Sequence, residues 1–264
     1  MKQQGLALVI TLALVFIVSC DNGGNSLTEN LKKELISAKW NVNGSGSYTS
    51  FEFNMDGNYI AVKNTSLPSS APAQGMEKND IAPKNVVTKS TDDNTTVFFG
   101  TYRIIDDTTI ELSGLGTLKV SKLNNNSISF TINGEEVNAS KQARVITAST
   151  KTELLCRTWK LVSLDGVEVG NSNLDVTEYT ILFSDASTFF VNARQKNGEH
   201  ITVLGRWMWC NQDQNQLAFT ASEYGNELDC NSKYIFKDIQ LTENSFIGID
   251  MENEYPMEFV MRAN

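Results

Sequence analysis

Lys32-Lys33-Glu34-Leu35-Ile36-Ser37-Ala38-Lys39-Trp40 aligns without gaps on Lys151-Thr152-Glu153-Leu154-Leu155-Cys156-Arg157-Thr158-Trp159, at an offset of 119 residues. Glu falls on Glu and Trp on Trp. Downstream, Phe53-Asn54-Met55-Asp56-Gly57-Asn58-Tyr59 matches Phe183-Ser184-Asp185-Ala186-Ser187-Thr188-Phe189, with aromatics flanking a polar turn in both, which reads as a hairpin. Gly100-Thr101-Tyr102-Arg103-Ile104 then matches Gly205-Arg206-Trp207-Met208-Trp209, and Leu123 to Ile128 matches Leu241 to Phe246. Matches in one order make the chain two copies of a unit of roughly 120 residues, a length suited to a small domain. The seam falls near Ala148 to Lys151, which gives units over 27–148 and 149–264.

Each unit opens on a short amphipathic helix. Ser26-x-x-Glu29 and Thr150-x-x-Glu153 have the spacing of capping boxes, and Leu27, Leu31 and Leu35 share one helical face. The rest alternates with a period near two, as in Phe51/Phe53, Ile128/Phe130/Ile132 and Trp207/Trp209, between turns of Asp, Asn, Gly and Ser. That pattern predicts antiparallel meanders with one apolar face. An open meander exposes its edges, so the expected architecture is all-β: two tandem small antiparallel up-and-down β-barrels, each preceded by a short helix.

The order of helix, Leu-x4-Trp, Phe-x-x-Asp-Gly-x-Tyr, Gly-x-Tyr/Trp and Leu-Thr/Asn-x-Asn-Ser resembles the lipocalin-like domains of lipoproteins from Bacteroidota and related bacteria, over nearly all of residues 27–264. The lipocalin Gly-x-Trp appears here without its glycine, as Ala38-Lys39-Trp40 and Arg157-Thr158-Trp159. The resemblance implies an extracytoplasmic barrel and brings no catalytic residues.

Residues 1–19 read as a secretory signal, with Lys2 before an apolar run from Leu6 to Val18 that is too short to span a bilayer comfortably. Ile17-Val18-Ser19-Cys20 resembles a bacterial lipobox, which makes Cys20 the acylated first residue of the mature chain and residues 20–26 a polar tether. Two or more acyl chains hold a protein stably on a membrane. The expected location is the bacterial cell envelope, with the outer membrane as the expected site and the leaflet left open. Asp21 alone, followed by Asn22-Gly23-Gly24, does not make an extended acidic export signal. The formal net charge of −9, without a Lys/Arg cluster, argues against nucleic acid as a partner.

The chemistry-bearing residues are few. His200 is the only histidine and stands in a turn-like Lys196-Asn197-Gly198-Glu199-His200, which argues against a nucleophile and base pair. No His/Cys set has metal-ligand spacing and no phosphate loop appears, so neither a metal nor a cofactor is expected. Asp92, Asp93, Asp106 and Asp107 sit in turns, where solvation and local bonding account for them. Catalysis is therefore not expected. Cys210 and Cys230 are a candidate disulfide in an exported setting, leaving Cys156 unpaired on the helix.

The copies differ most at 63–96. Tyr59 and Gly100 are separated by 40 residues, Phe189 and Gly205 by 15, and the excess carries Pro68, Pro72 and Pro83. This insertion reads as a long mobile loop, either a binding lid or a tolerated excess. The second unit holds most of the Phe and Trp, which favours a filled core there, although Trp207 and Trp209 could also line a calyx. The first unit is the better candidate for a small apolar or glycan-like ligand, with Tyr48, Phe51, Tyr59 and Tyr102 as its weak candidate contacts. The competing expectation is a pair of filled barrels acting as an interaction or structural module.

Overall fold

A computed structural model describes residues 33–64, 86–89, 95–221, 227–252 and 255–264. The expectations for the signal, Cys20, the tether, Leu27, Leu31, the Ser26 cap, Pro68, Pro72, Pro83, Asp92 and Asp93 lie outside them. The chain forms two closed antiparallel barrels of eight strands, in agreement with the sequence expectation. The first runs β1 (Lys39–Val42), β2 (Tyr48–Phe53), β3 (Asn58–Asn64), β5 (Thr95–Asp106), β6 (Thr109–Leu112), β7 (Gly116–Leu123), β8 (Ser127–Ile132) and β9 (Glu135–Lys141), and β9 returns to β1. The second runs β10 (Thr158–Leu164), β12 (Val176–Phe183), β13 (Thr188–Gln195), β14 (His200–Trp209), β15 (Leu217–Ala221), β16 (Ile235–Leu241), β17 (Ser245–Asp250) and β18 (Met257–Ala263), closed by β18 on β10; the two-residue β11 (Val167–Glu168) pairs outside it on β10. Each barrel strand pairs with its neighbours in sequence, the up-and-down connection that alternating runs and short turns dictate. In β8, Ile128, Phe130 and Ile132 are buried while Ser127, Ser129 and Thr131 point outward.

The repeated motifs are devices that close the barrel. A helical turn over 33–36 precedes β1, and α1 (Thr150–Leu155) precedes β10. The Trp40 indole donates to the Ile36 carbonyl at 2.8 Å, and Trp159 donates to Leu155 at 2.9 Å. Each tryptophan is fully buried, so one bond satisfies its only polar atom and a carbonyl left free at the helix end. The hairpin after β2 has Gly57 at φ +89°, with its N–H on the Asn54 carbonyl. Ser187 takes that place in the second copy at φ +69°, and its hydroxyl donates to the Trp207 carbonyl at 2.6 Å, which offsets the cost of a left-handed backbone at a residue with a Cβ. Gly205 lies so close to β15 that a Cβ there would collide with the Thr220 carbonyl oxygen, and at Gly100 it would press on Ser113 and Tyr59.

Two local expectations change. The cap of α1 is Ser149, one residue before the expected Thr150, and its Oγ accepts from the Thr152 N–H at 3.0 Å. Thr150 is already helical. The insertion is not all loop: residues 63–64 end β3, Thr95 and Thr96 begin β5, and β4 (Val86–Lys89) adds a strand to the edge of β5. The remainder of the insertion lies outside the described residues.

The barrels pack through equivalent faces. Ile60, Val97, Leu182 and Phe190 form a buried cluster with Val62, Phe99 and Leu204 against it, and the Phe99 and Phe190 rings stand 4.8 Å apart. The two copies share one register: Ile60 pairs with Phe99 as Phe190 pairs with Leu204, and Lys39 with Glu52 as Thr158 with Leu182. Contacts cross in both senses, with Asn58 Nδ2 on Thr158 Oγ1 at 2.9 Å and Lys39 Nζ on Thr188 Oγ1 at 3.3 Å. Asn58 is the counterpart of Thr188, and Lys39 of Thr158. Such exchange is the signature of a two-fold interface, here between halves of one chain. After β9 the connection leans on the second barrel, where Arg144 pairs with Asp185 at 2.9 Å and Ile146 enters the core.

Candidate functional site

The barrel axes are occupied by protein. Tyr48, Phe51, Tyr59 and Tyr102, the sequence candidates for ligand contact, are 4, 0, 1 and 8% exposed. Phe51 meets Phe130 edge-on at 4.9 Å, and Phe53 meets Tyr102 at 5.3 Å. The Tyr59 hydroxyl donates to the Ser113 carbonyl at 2.6 Å and Tyr102 to Asn54 at 3.0 Å. Burial pushes the Tyr59 phenol up, and it pushes Tyr102 up to about 12. These four residues meet in the core and line neither of the cavities below. In the second barrel Trp159, Trp207, Phe183, Phe236 and Phe246 are each less than 2% exposed, and Trp207 stands edge-on to Trp209 at 5.4 Å. Both tryptophans spend their N–H groups inside, on Ser184 O and Thr152 Oγ1.

Free space lies at one end of the first barrel, between the barrels, and in an open polar cleft of about 470 Å³ beside α1 of the second barrel. The first is a cavity of about 300 Å³ beside the 33–36 turn, with Leu35, Ile36, Ile104, Ile110, Val120 and Leu123 as its apolar wall and Asp106, Asp107 and Lys122 on its rim. The turn aspartates read as solvated from sequence thus edge a pocket, and Asp106 is held below the usual carboxylate range by the backbone N–H and hydroxyl of Thr108.

The second cavity, about 260 Å³, is lined by residues of both barrels, including the equivalent pairs Ser37/Cys156, Asn54/Ser184 and Met55/Asp185. Lining by equivalent pairs places it on the two-fold axis. Glu52 on its wall is 3% exposed. Desolvation pushes the carboxyl pKa up, against opposing effects of Lys39, Ser184 and Thr188, while the Asp185 charge adds to the rise. Its Oε2 accepts from Thr188 Oγ1 at 2.6 Å; Oε1 and the nearby Asn54 Nδ2 are buried without a partner. Burying polar groups unpaired costs free energy, about 1–3 kcal/mol each. Burial also pushes the Cys156 thiol up, away from a nucleophilic thiolate.

Cys210 and Cys230, the candidate pair, form a disulfide with Cα atoms 5.5 Å apart, because β14, β15 and β16 are neighbours. Among the described residues Cys156 is the free thiol. His200 opens β14 beside Arg194, whose guanidinium lies 2.9 Å from Nε2, and no carboxylate or hydroxyl contacts the ring among the described hydrogen bonds. Among the described residues no group of three or more His, Cys, Asp or Glu is placed to hold a metal. Sequence reasoning missed the cavity on the axis. Its signal was Glu52 between Phe51 and Phe53, where the second copy has Leu182 between Ile181 and Phe183.

No family model matches the chain, and no curated protein matches it. Among solved structures it is similar to the DNA polymerase III beta chain of Streptococcus pneumoniae TIGR4, at 11% identity over 87% of this chain and 57% of that one, with a TM-score of 0.14. The chain thus spans little more than half the length of that protein, and a likeness this weak carries no argument.

Proposed function

We propose that the protein is a lipid-anchored, non-catalytic module of the bacterial envelope in which two filled barrels form a rigid scaffold, held at the membrane through Cys20. The filled interiors carry this reading. Large aromatic side chains occupy both axes, so an internal calyx of the kind that takes a whole apolar ligand has no room. The outward surface supports a water-facing scaffold: Arg103, Glu111, Lys119 and Glu136 point away from the first core, whereas a lipid-facing barrel carries an apolar outer band.

A second reading is favoured by the cavity at the 33–36 turn. Its volume and apolar wall suit a small apolar ligand taken at the barrel mouth, with Asp106, Asp107 and Lys122 setting polarity at the entrance. Anchoring is tested by metabolic labelling with an alkyne-tagged palmitate, where the expected result is label on the wild type and none on Cys20→Ala. Equal labelling of both overturns the anchor. The mouth pocket is tested with a fluorescent fatty-acid probe: saturable binding lost in Leu35→Asp with wild-type circular dichroism supports it, and binding unchanged in that variant refutes it.

A further inference from the structure

We infer that the mouth pocket of the first barrel takes one class of ligand, a free aromatic molecule of two fused rings without an acid group, seated where Trp209 stands in the second barrel; this rests on the reading of that cavity as a ligand site. The internal repeat supplies the template. Ile104 pairs with Ile110 in the first barrel as Trp209 pairs with Leu217 in the second, so Ile104 and Trp209 hold one place at the same end of their barrels. Leu35 and Ile36 correspond likewise to Leu154 and Leu155, and Leu123 to Leu241. Ile104, Ile110, Leu35, Ile36 and Leu123 all line the cavity. In the second barrel the Trp209 ring occupies this place, packed against the core and edge-on to Trp207 at 5.4 Å, with its N–H on Thr152 Oγ1 of α1 at 3.0 Å.

The connection over the ring differs as well. In the second barrel residues 210–216 fold onto α1, where Gln214 Oε1 accepts from Ser149 Oγ at 2.6 Å and the Asp213 carbonyl accepts from Lys151 Nζ at 2.6 Å. The first barrel has a shorter connection over 105–109, bonded to itself through Asp106 and Thr108 and set at the rim. A smaller side chain and a shorter connection therefore open the same place in the first copy. The frame of helix and strands is seen holding a bicyclic ring in one barrel and leaves its space open in the other.

Size and charge agree with such a ligand. An apolar cavity of about 150 Å³ takes benzene, so about 300 Å³ has room for a second fused ring. A rigid ring loses little conformational freedom on entering a compact cavity, whereas an acyl chain of equal carbon count must give up its rotamers. An acid group on the ligand would meet Asp106 and Asp107 at the rim against Lys122, which disfavours it.

The test uses the mature chain, with residues 1–20 replaced by a cleavable secretion signal, in ligand-observed NMR titrations. Indole is the probe, indole-3-acetate the acid control and decanoate the open-chain control. A ligand of about nine heavy atoms should bind with a dissociation constant on the order of 1 mM, and both controls severalfold more weakly. Ile104→Trp, which gives the first barrel the side chain of the second, should weaken indole binding roughly tenfold or more while circular dichroism stays that of the wild type. Leu35→Asp should do the same, and it decides the matter if Ile104→Trp does not fold. Indole binding that survives these substitutions in folded protein overturns the inference, as does tighter binding of indole-3-acetate than of indole. Decanoate binding that is lost in Leu35→Asp, with no binding of indole, overturns the aromatic assignment and upholds the mouth pocket. Binding of neither indole nor decanoate overturns both.

Discussion

Phe190→Ala separates the stability of the barrels from the coupling between them. Phe190 leaves β13 on the outer side of the second barrel, between Phe189 and Val191, which point into its core. It is 1% exposed, and its neighbours include Ile60, Val97 and Phe99 of the first barrel. Truncating a packed Phe costs about 3–5 kcal/mol, of which about 0.5–1.5 belongs to the ring pair with Phe99. The four fully buried apolar side chains of the interface contribute about 1.5–3 kcal/mol each, so the substitution removes roughly a third to a half of the apolar coupling. Little of the loss falls within either barrel. In scanning calorimetry the wild type should unfold in strongly overlapping transitions, and Phe190→Ala in two resolved ones, with the van't Hoff enthalpy of each well below the total calorimetric enthalpy. A single two-state transition in the variant, merely shifted to lower temperature, would refute this account of the interface.

Trp159→Ala removes the plug of the second barrel and leaves the Leu155 carbonyl without its donor, so denaturant titration should show a loss of about 3–5 kcal/mol confined to that barrel's transition. Asp250, raised to about 6 by burial, binds its proton more tightly folded than unfolded, where it titrates near 3.8. Stability fully present below about pH 3 should therefore fall by about 3 kcal/mol by about pH 7, about 2 kcal/mol of it between pH 4 and pH 6, and Asp250→Asn should flatten that slope in urea midpoints measured across this range, leaving the part that belongs to Glu52. Reducing the Cys210–Cys230 bond, which closes a loop of 20 residues, should lower the second barrel's stability by about 3 kcal/mol and leave the first barrel's transition in place, as read by calorimetry with and without reductant.

The alternation of Ile128, Phe130 and Ile132 with Ser127, Ser129 and Thr131 determined strand and facing, because a period of two is a local property of the chain. Repetition of Leu-x4-Trp and of the Phe-bounded hairpin determined that the fold occurs twice, and an eight-strand meander that hides its edges closes on itself. The disulfide was legible too, since Cys210 at the end of β14 and Cys230 in the β15–β16 connection lie on either side of one strand of the meander. Cap and insertion were half legible. Ser149 and Thr150 are both good caps, and only the backbone decides between them; β4 hides in a segment whose composition reads as loop. The candidate site was misplaced for a physical reason. Tyr48, Phe51, Tyr59 and Tyr102 carry the same aromatic signature whether they line a cup or fill a core, and the difference is one of packing volume. The pairing of two outer faces about an axis, and the unpartnered atoms of Glu52 and Asn54 beside it, depend on contacts between residues 100 or more positions apart, which no local pattern encodes.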